Sequence, residues 1–268
     1  MSAMMTVIKE QIANFYLIRR LSLYELKSSN NNNYLGMLWE LLNPGIQITI
    51  FWFVFGYGIR GGSDVEGVPF FHWMVAGLIV WFFINPSISQ GSKSIYSRIK
   101  MISKMSFPMS VIPTYVIFSK LYPHIALTII ITIIFQFSGF PISVYYLQVP
   151  YFMFASVILL LAISLITSTL STIVRDVQQI IQALLRIMIY MLPILWVTFK
   201  LPESLQAVMK LNPVYYLVEG YRHALLGEGW YITESISYTL YFWLIVLVLF
   251  FIGSILHLKF RRHFIDFL

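Results

Sequence analysis

The chain has 268 residues, of which 59% are hydrophobic and only 11% are charged, and its formal net charge is +7. Soluble domains contain about 25% charged residues, so a fold surrounded by water on all sides is excluded. The sequence has no cysteine, which excludes disulfides, thiolate metal sites and cysteine nucleophiles. This composition predicts an all-α integral membrane protein.

Six windows of mostly apolar residues are long enough to span a bilayer, which takes about 20 residues. In chain order they cover residues 41–59, 70–89, 112–137, 149–174, 177–199 and 235–258. The third and the fifth windows are the least uniform, because they contain Lys120 and Arg186. The chain therefore divides into a cytoplasmic interfacial segment, 1–33, and a transmembrane domain of six helices, 34–268.

Lysine and arginine are unevenly distributed between the two sides of this topology. They concentrate in the first 33 residues, in the connection after the second window and in the C-terminal tail. Since cytoplasmic loops carry the excess of positive charge, both termini are predicted to be cytoplasmic. No cleavable signal is visible before the first window, so that window is expected to act as an uncleaved signal.

The N-terminal segment is too polar to cross the membrane. Ile8, Ile12 and Phe15 form a short helical stripe, which predicts an interfacial helix at the cytoplasmic surface. A soluble helix docked on the bundle is the alternative. Asparagines and serines in residues 28–33 compete for backbone hydrogen bonds and should end this helix.

The last extracellular connection contains two further helix signals. Pro202 and the pair Asn212 and Pro213 mark the starts of two short helices. Their apolar content predicts re-entrant helices that dip into the membrane. Glu219 and Arg222 have the spacing of an ion pair at the surface of one helix.

Sequence motifs for catalysis are absent. There is no P-loop, dinucleotide fingerprint, HExxH or G-x-S-x-G motif, and the histidines are far apart in the sequence. We therefore expect no catalytic site, no metal and no cofactor in this chain, and no nucleic-acid partner. If ATP drives a transport reaction, ATP and Mg²⁺ should bind to a separate subunit.

Four ordered segments carry a family resemblance. They are Arg19-Arg20-Leu21 with Tyr34-Leu35-Gly36-Met37-Leu38-Trp39 and Asn43-Pro44; Ile102-Ser103-Lys104 with Phe107-Pro108 and Pro113; Arg175-Asp176-Val177; and Asn212-Pro213 with Glu219-Gly220-Tyr221-Arg222. Together they resemble the membrane subunits of type-2 ABC exporters of polysaccharides and polyol phosphates. Residues 21–27, 30–40 and 51–62 look like the teichoic acid branch. An asparagine run replaces the basic residues of many polysaccharide exporters, which favours that branch over capsule and O-antigen branches.

The resemblance implies a homodimer of this chain with two copies of an ABC ATP-binding subunit. It implies export of wall teichoic acid linked to undecaprenyl diphosphate across the plasma membrane of a Gram-positive bacterium. The alternatives are a same-fold exporter of another lipid-linked polysaccharide, of capsule or O-antigen type, and a drug or small-lipid exporter of the same superfamily. A gradient-driven transporter is disfavoured because no internal repeat is visible. A membrane enzyme is disfavoured because the acidic residues and histidines of this chain are not grouped in the sequence.

Two sets of residues are candidates for direct roles. The connection 94–104 is compact and basic, and we expect it to contact the ATP-binding subunit through Tyr96, Arg98, Ile99, Lys100 and Lys104. Positive-inside charge alone is the alternative. The candidates for binding a diphosphate along the substrate path are Arg186, Lys120, Arg19 and Arg20. For Arg186 and Lys120, a structural ion pair or a shifted helix boundary is the alternative.

The turn between the fourth and fifth windows contains Arg175 and Asp176. Asp176 is expected to cap the fifth helix, with Gln179 completing a capping box. The other interpretation is a gate or a contact with the ATP-binding subunit.

Overall fold

The computed structural model describes residues 3–29, 31, 34–98, 108–198, 201–262 and 264. Within these residues the regular elements are helices: α1 (Ala3–Ala13), α2 (Phe15–Ser29), α3 (Trp39–Phe51), α4 (Phe70–Ser92), α5 (Val111–Phe137), α6 (Gln148–Ile173), α7 (Asp176–Met191), α8 (Glu203–Lys210), α9 (Pro213–Leu226), α10 (Tyr231–Glu234) and α11 (Ile236–Phe260). A π-helical segment, Trp52–Ile59, extends α3, so one continuous rod covers Gly36–Ile59.

In the part of the chain that the structure describes, five helical segments are long and apolar enough to cross a membrane: Gly36–Ile59, Phe70–Ser92, Val111–Phe137, Val144–Ile173 and Ile236–Phe260. They confirm five of the six windows. The window 177–199 is not one continuous helix, because α7 ends at Met191 and Leu192 is extended, with φ −88° and ψ 151°. Pro193 explains the break, since proline lacks an N–H and disfavours helical backbone at the residue before it.

Helix α7 and the buried, irregular residues 192–198 run alongside α4 in the opposite direction. At the start of α7, Gln178 accepts a hydrogen bond from Ser92 (2.5 Å) and donates one to the carbonyl of Ser89 (3.1 Å). At its far end, the Pro193 carbonyl accepts from Arg222, which also donates to the Trp73 carbonyl. Ser92 and Trp73, the residues of α4 at these two points, are ~28 Å apart along the helix at 1.5 Å per residue.

The helix α4 is the centre of the bundle, where it packs against α5, α6, α7 and α9. Helix α6 packs against α4 and also against α11. The backbones of α6 and α11 approach each other closely at Gly253. A Cβ atom added at Gly253 would lie 3.0 Å from Cβ of Leu165 and 3.2 Å from the Ala162 carbonyl oxygen. Close approach at small residues is a common way for membrane helices to gain van der Waals contact.

The bundle has two different ends. The terminal end carries α1 and α2, which pack on α11 and α5, and Glu10 pairs there with Arg261 at 2.6 Å. Val7 and Ile18 are buried against the bundle, whereas Ile12 is 72% and Phe15 is 55% exposed. Helix α2 ends at Ser29, inside the predicted break. The segment is thus docked on the bundle with an apolar face left exposed.

The distal end carries α8, α9 and α10. Helix α8 begins after Pro202, and α9 begins after Asn212, whose Oδ1 accepts the backbone N–H of Val214 at 3.0 Å. Gly227, with φ 75°, ends α9 in a left-handed conformation. These bounds confirm the helix signals. The apolar side chains of α9 are buried against α4 and α6, so protein contacts account for its apolar content.

Candidate functional site

A polar pocket of about 330 Å³ lies between α3, α4 and α5. Its polar lining residues are Glu40, Asn43, Gln47, Asn85, Ser89, Gln90, Lys120 and His124. Polar side chains inside membrane segments are costly unless they face the protein interior or a water-filled cavity, and such residues usually mark a functional path. We therefore take this polar pocket as the candidate site.

Helix α3 contributes one polar face to the pocket. Glu40, Asn43 and Gln47 follow the spacing i, i+3 and i+7, which places them on one side of a helix. Other sides of the helix carry exposed apolar residues such as Leu42 and Ile46. This stripe is visible in the sequence, but the search for charged residues inside the windows passed over it.

Lys120 is held at the pocket by an ion pair. Its Nζ lies 3.1 Å from Oε1 of Glu40, and the two side chains are 6% and 22% exposed. Lys120 lies ~14 Å along α5 from Val111, too far inside for its ammonium to remain in bulk water at the helix end. The pairing offsets the cost of holding a charge at that depth, and Lys120 lines the pocket.

His124 forms the inner boundary of the pocket. Its ring stacks on Phe83, with centroids 4.8 Å apart, and its Nε2 lies 2.7 Å from the hydroxyl of Tyr221. Tyr221 belongs to α9, so this hydrogen bond connects the pocket directly to the distal end of the bundle.

Arg222, the next residue of α9, makes a buried cluster that we call the arginine clasp. Its side chain is 3% exposed and pairs with Glu219 at 2.6 Å. It donates to the carbonyls of Trp73 and Pro193, and its guanidinium lies 3.9 Å from the centroid of the Trp73 ring. The predicted pair therefore forms, but the prediction that it lies at the surface is wrong, because α4 and residue 193 cover it.

The other predicted path residues lie elsewhere. Arg186 is exposed on α7, where its Nε donates to the Gln182 carbonyl at 3.4 Å. Arg19 and Arg20 are exposed on α2. None of these three lines the polar pocket, so the structure does not bring the four predicted cations together in one chain.

The predicted coupling segment is described only in part. Tyr96 is half-buried in a single 3-10 turn, and Arg98 forms an ion pair with Glu25 of α2. Arg98 also lies over the ring of Tyr115, 5.7 Å from its centroid. Ile99, Lys100 and Lys104 lie outside the described residues. The segment thus contacts α2 and α5 of its own chain.

The turn before α7 does not have the predicted cap. Arg175 takes the N-cap position with helical backbone, and neither residue's side chain makes a capping hydrogen bond there. Asp176 and Gln179 are both exposed. The capping box is therefore wrong, because Asp176 already lies inside the first helical turn, one position too late to cap it.

A metal site needs several ligand side chains that converge on one ion. Within the described parts of the chain, no three histidine, aspartate or glutamate side chains converge as a metal site requires.

The family of the chain follows from a match between residues 16–226 and the family of ABC-2 type transporters. This match covers most of the chain, and the chain belongs to that family. It is a multi-pass membrane protein and the permease subunit of an ABC transporter, in which ATP is hydrolysed by a separate subunit.

Relatives with curated descriptions include O-antigen export system permease proteins RfbA. One from Klebsiella pneumoniae is 27% identical over 238 residues, which cover 88% of this chain and 90% of the relative. One from Myxococcus xanthus is 26% identical over 201 residues, covering 74% and 75% of the two chains. A second Klebsiella pneumoniae protein is 26% identical over 204 residues, covering 76% and 77%.

Proposed function

We propose that this chain is the membrane subunit of an exporter that moves a lipid-linked polysaccharide across the plasma membrane. The observation that carries the proposal is the similarity to O-antigen export permeases over 74% or more of both chains. A polysaccharide of O-antigen type is therefore the first candidate substrate. Wall teichoic acid is the second, supported by the asparagine run before Tyr34 and by residues 21–27 and 51–62.

The proposed assembly is a homodimer with two copies of the ATP-binding subunit. Both termini would be cytoplasmic, as the distribution of lysine and arginine favours. We infer that α7 with residues 192–198 makes an additional crossing, which supplies the sixth. The support is its antiparallel course along α4 and the pairing of Glu10 with Arg261, which brings the first and last helices to the same end.

The exposed face of α7 is the proposed seam between the two copies. Ile180, Leu184 and Ile187 are exposed there, and Arg186 is exposed on the neighbouring side of the helix, in line with Gln179 and Gln182. An arginine within a membrane crossing is costly against lipid, but a dimer seam that carries a diphosphate would provide its counter-charge. Lys120 in the polar pocket is the second proposed cation on the path.

Cross-linking tests the seam directly, because the natural chain has no cysteine. With Ile187→Cys, a short thiol-reactive cross-linker should give a covalent dimer in membranes. Leu240→Cys on the exposed face of α11 is the matched control and should stay monomeric. Equal cross-linking of the two variants would reject α7 as the seam.

Export tests the substrate and the role of Arg186. The chain co-purified with its ATP-binding subunit should export lipid-linked glycan in proteoliposomes, whereas the chain alone should not hydrolyse ATP. Arg186→Ala should reduce export and glycan-stimulated ATP hydrolysis more than basal hydrolysis. Arg186→Lys should recover only part, because ammonium does not bind phosphate oxygens bidentately.

The control for Arg186→Ala is Lys259→Ala, which removes a positive charge at the end of α11, away from the proposed seam, and should export normally. Two outcomes would change this proposal. If Arg186→Ala prevents assembly instead of transport, its role is structural. If only poly(polyol phosphate) chains are exported, the teichoic acid alternative replaces the first candidate.

A further inference from the structure

A second cavity, the tyrosine cleft, lies at the distal end and encloses about 550 Å³. Its walls include Tyr215, Tyr231, Tyr238 and Tyr241, together with Lys210 and Glu219. The volume is in the range of about 300–1,000 Å³ that small-molecule sites occupy. Neither the polar pocket nor the seam uses these residues.

The tyrosine rings of the cleft are fixed in position. The hydroxyl of Tyr238 donates to the Lys210 carbonyl at 2.9 Å, and that of Tyr241 donates to the Leu211 carbonyl at 3.0 Å. The two rings lie 6.0 Å apart with an angle of 17° between their planes. They form a preorganised aromatic wall, and their hydroxyl lone pairs remain to accept hydrogen bonds.

Charged groups line the cleft together with its aromatic wall. Glu219 uses Oε1 for Arg222 and is 17% exposed, so its carboxylate has further acceptor capacity. Tyr231 is buried nearby, and its burial, followed by the charge of Glu219, raises the pKa of its hydroxyl. That hydroxyl therefore stays protonated at neutral pH. Lys210 is exposed at the rim.

Two kinds of ligand suit tyrosine rings beside a carboxylate. An ammonium group would pack on the ring faces, but Arg222 behind Glu219 and Lys210 at the rim already place two cations there. A sugar ring has apolar C–H faces that pack on aromatic rings and hydroxyls that bind a carboxylate and phenols. The charges therefore favour the sugar.

We propose that the tyrosine cleft binds a pyranose unit of a carbohydrate chain. One face of the sugar packs on Tyr238 and Tyr241, and its hydroxyls bond to Glu219 and Tyr231. This inference rests on the proposed export of a glycan and deepens it, because it gives the polymer a binding site at the end of the bundle opposite the termini.

Saturation-transfer NMR on the full chain in lipid nanodiscs tests the cleft with mannotriose, galactotriose and rhamnose as probes. At least one sugar should receive saturation from the unmodified chain. Tyr241→Ala should weaken its binding about three- to tenfold, because one ring face is lost. Tyr241→Phe should keep most of the binding, and Tyr24→Ala, an exposed tyrosine of α2, should keep all of it.

The inference is overturned if none of the three sugars receives saturation, or if Tyr241→Ala binds as well as the unmodified chain. It is also overturned if tetramethylammonium displaces the bound sugar at lower concentration than free sugar does. The NMR experiment measures sugar binding without the ATP-binding subunit, so its result remains valid even if the export experiment fails. Normal glycan export without sugar binding would reject the cleft alone.

Discussion

The segments Gly36–Ile59 and Phe70–Ser92 are both apolar enough to cross a membrane, yet they are enclosed very differently. In the most apolar stretch of each, 72% of α4 is buried inside the protein, compared with 6% of the α3 rod. Helix α4 packs against α5, α6, α7 and α9, whereas the α3 rod has few contacts with the bundle: the polar pocket, the buried Ile48 and partly buried residues such as Trp52.

This difference shows what holds helices together when the solvent is lipid. Apolar side chains gain little from leaving lipid, so association depends on close packing and on satisfied polar groups. Helix α4 has both: Gly77 makes room for the guanidinium of Arg222, and a Cβ there would lie 2.7 Å from Nη2. Helix α3 is joined to α5 by the ion pair of Glu40 with Lys120, and the polar pocket separates it from α4 and α5 where side chains could otherwise pack.

The largest effect is expected at the arginine clasp. Arg222→Ala should lower the free energy of unfolding by about 3–5 kcal/mol, because it leaves Glu219 without its cation and removes the hydrogen bonds to the Pro193 and Trp73 carbonyls. Thermal unfolding in detergent measures the loss. Arg222→Ala combined with Glu219→Ala should recover part of it, and no recovery would show that the ion pair is unimportant.

A steric change on α9 should be the next in size. A Cβ at Gly220 would lie 2.2 Å from Cε1 of Phe152, so Gly220→Ala forces α9 away from α6 and should cost about 1–3 kcal/mol. Phe152→Leu makes room, and the double variant should unfold at a higher temperature than Gly220→Ala alone. If the losses of Gly220→Ala and Phe152→Leu simply add in the double variant, the two residues are not energetically coupled and this explanation is wrong.

The pair that holds α3 should be weaker. Lys120→Ala should cost about 1–2 kcal/mol, below the roughly 3–5 kcal/mol of a fully buried pair, because Glu40 is 22% exposed. A double-mutant cycle with Glu40→Ala measures the coupling between the two residues. A coupling energy near zero would mean that α3 is held by other contacts.

The exposed face of α3 should show the smallest effect. Ile50→Ala should change the stability of the isolated chain by less than about 0.5 kcal/mol, since Ile50 is exposed. The matched change on α4, Ile79→Ala, removes a fully packed side chain and should cost about 2–5 kcal/mol. Similar losses at the two positions would contradict the contrast between the two helices.

The sequence predicted what depends on neighbouring residues. Apolar windows located five spans, and Asn212 with Pro213 located the start of α9, because capping and proline geometry act within one turn. Pro193 was also visible, but the window 177–199 was judged on hydropathy, which does not register a break in the backbone. The π-helical end of the α3 rod had no sequence signal that we recognised.

The site was less predictable because its contacts join distant parts of the chain. Nothing near Lys120 indicates that Glu40 reaches it, and the burial of Arg222 depends on Gly77 and residue 193 in other elements. The exposure of Arg186 in one chain was equally hidden, because α7 carries apolar residues on both faces. The polar stripe of α3 was the one available signal that pointed to the pocket.

The arginine clasp also has a consequence for biogenesis. Helix α7 is synthesised before α9, yet in the described part of the chain the donor to the Pro193 carbonyl, beyond the end of α7, is Arg222 of α9. When α7 leaves the ribosome, its far end therefore lacks the group that later satisfies it. The inserted chain must hold α7 provisionally until α9 folds against α4, so the order of synthesis and the order of final helix packing differ.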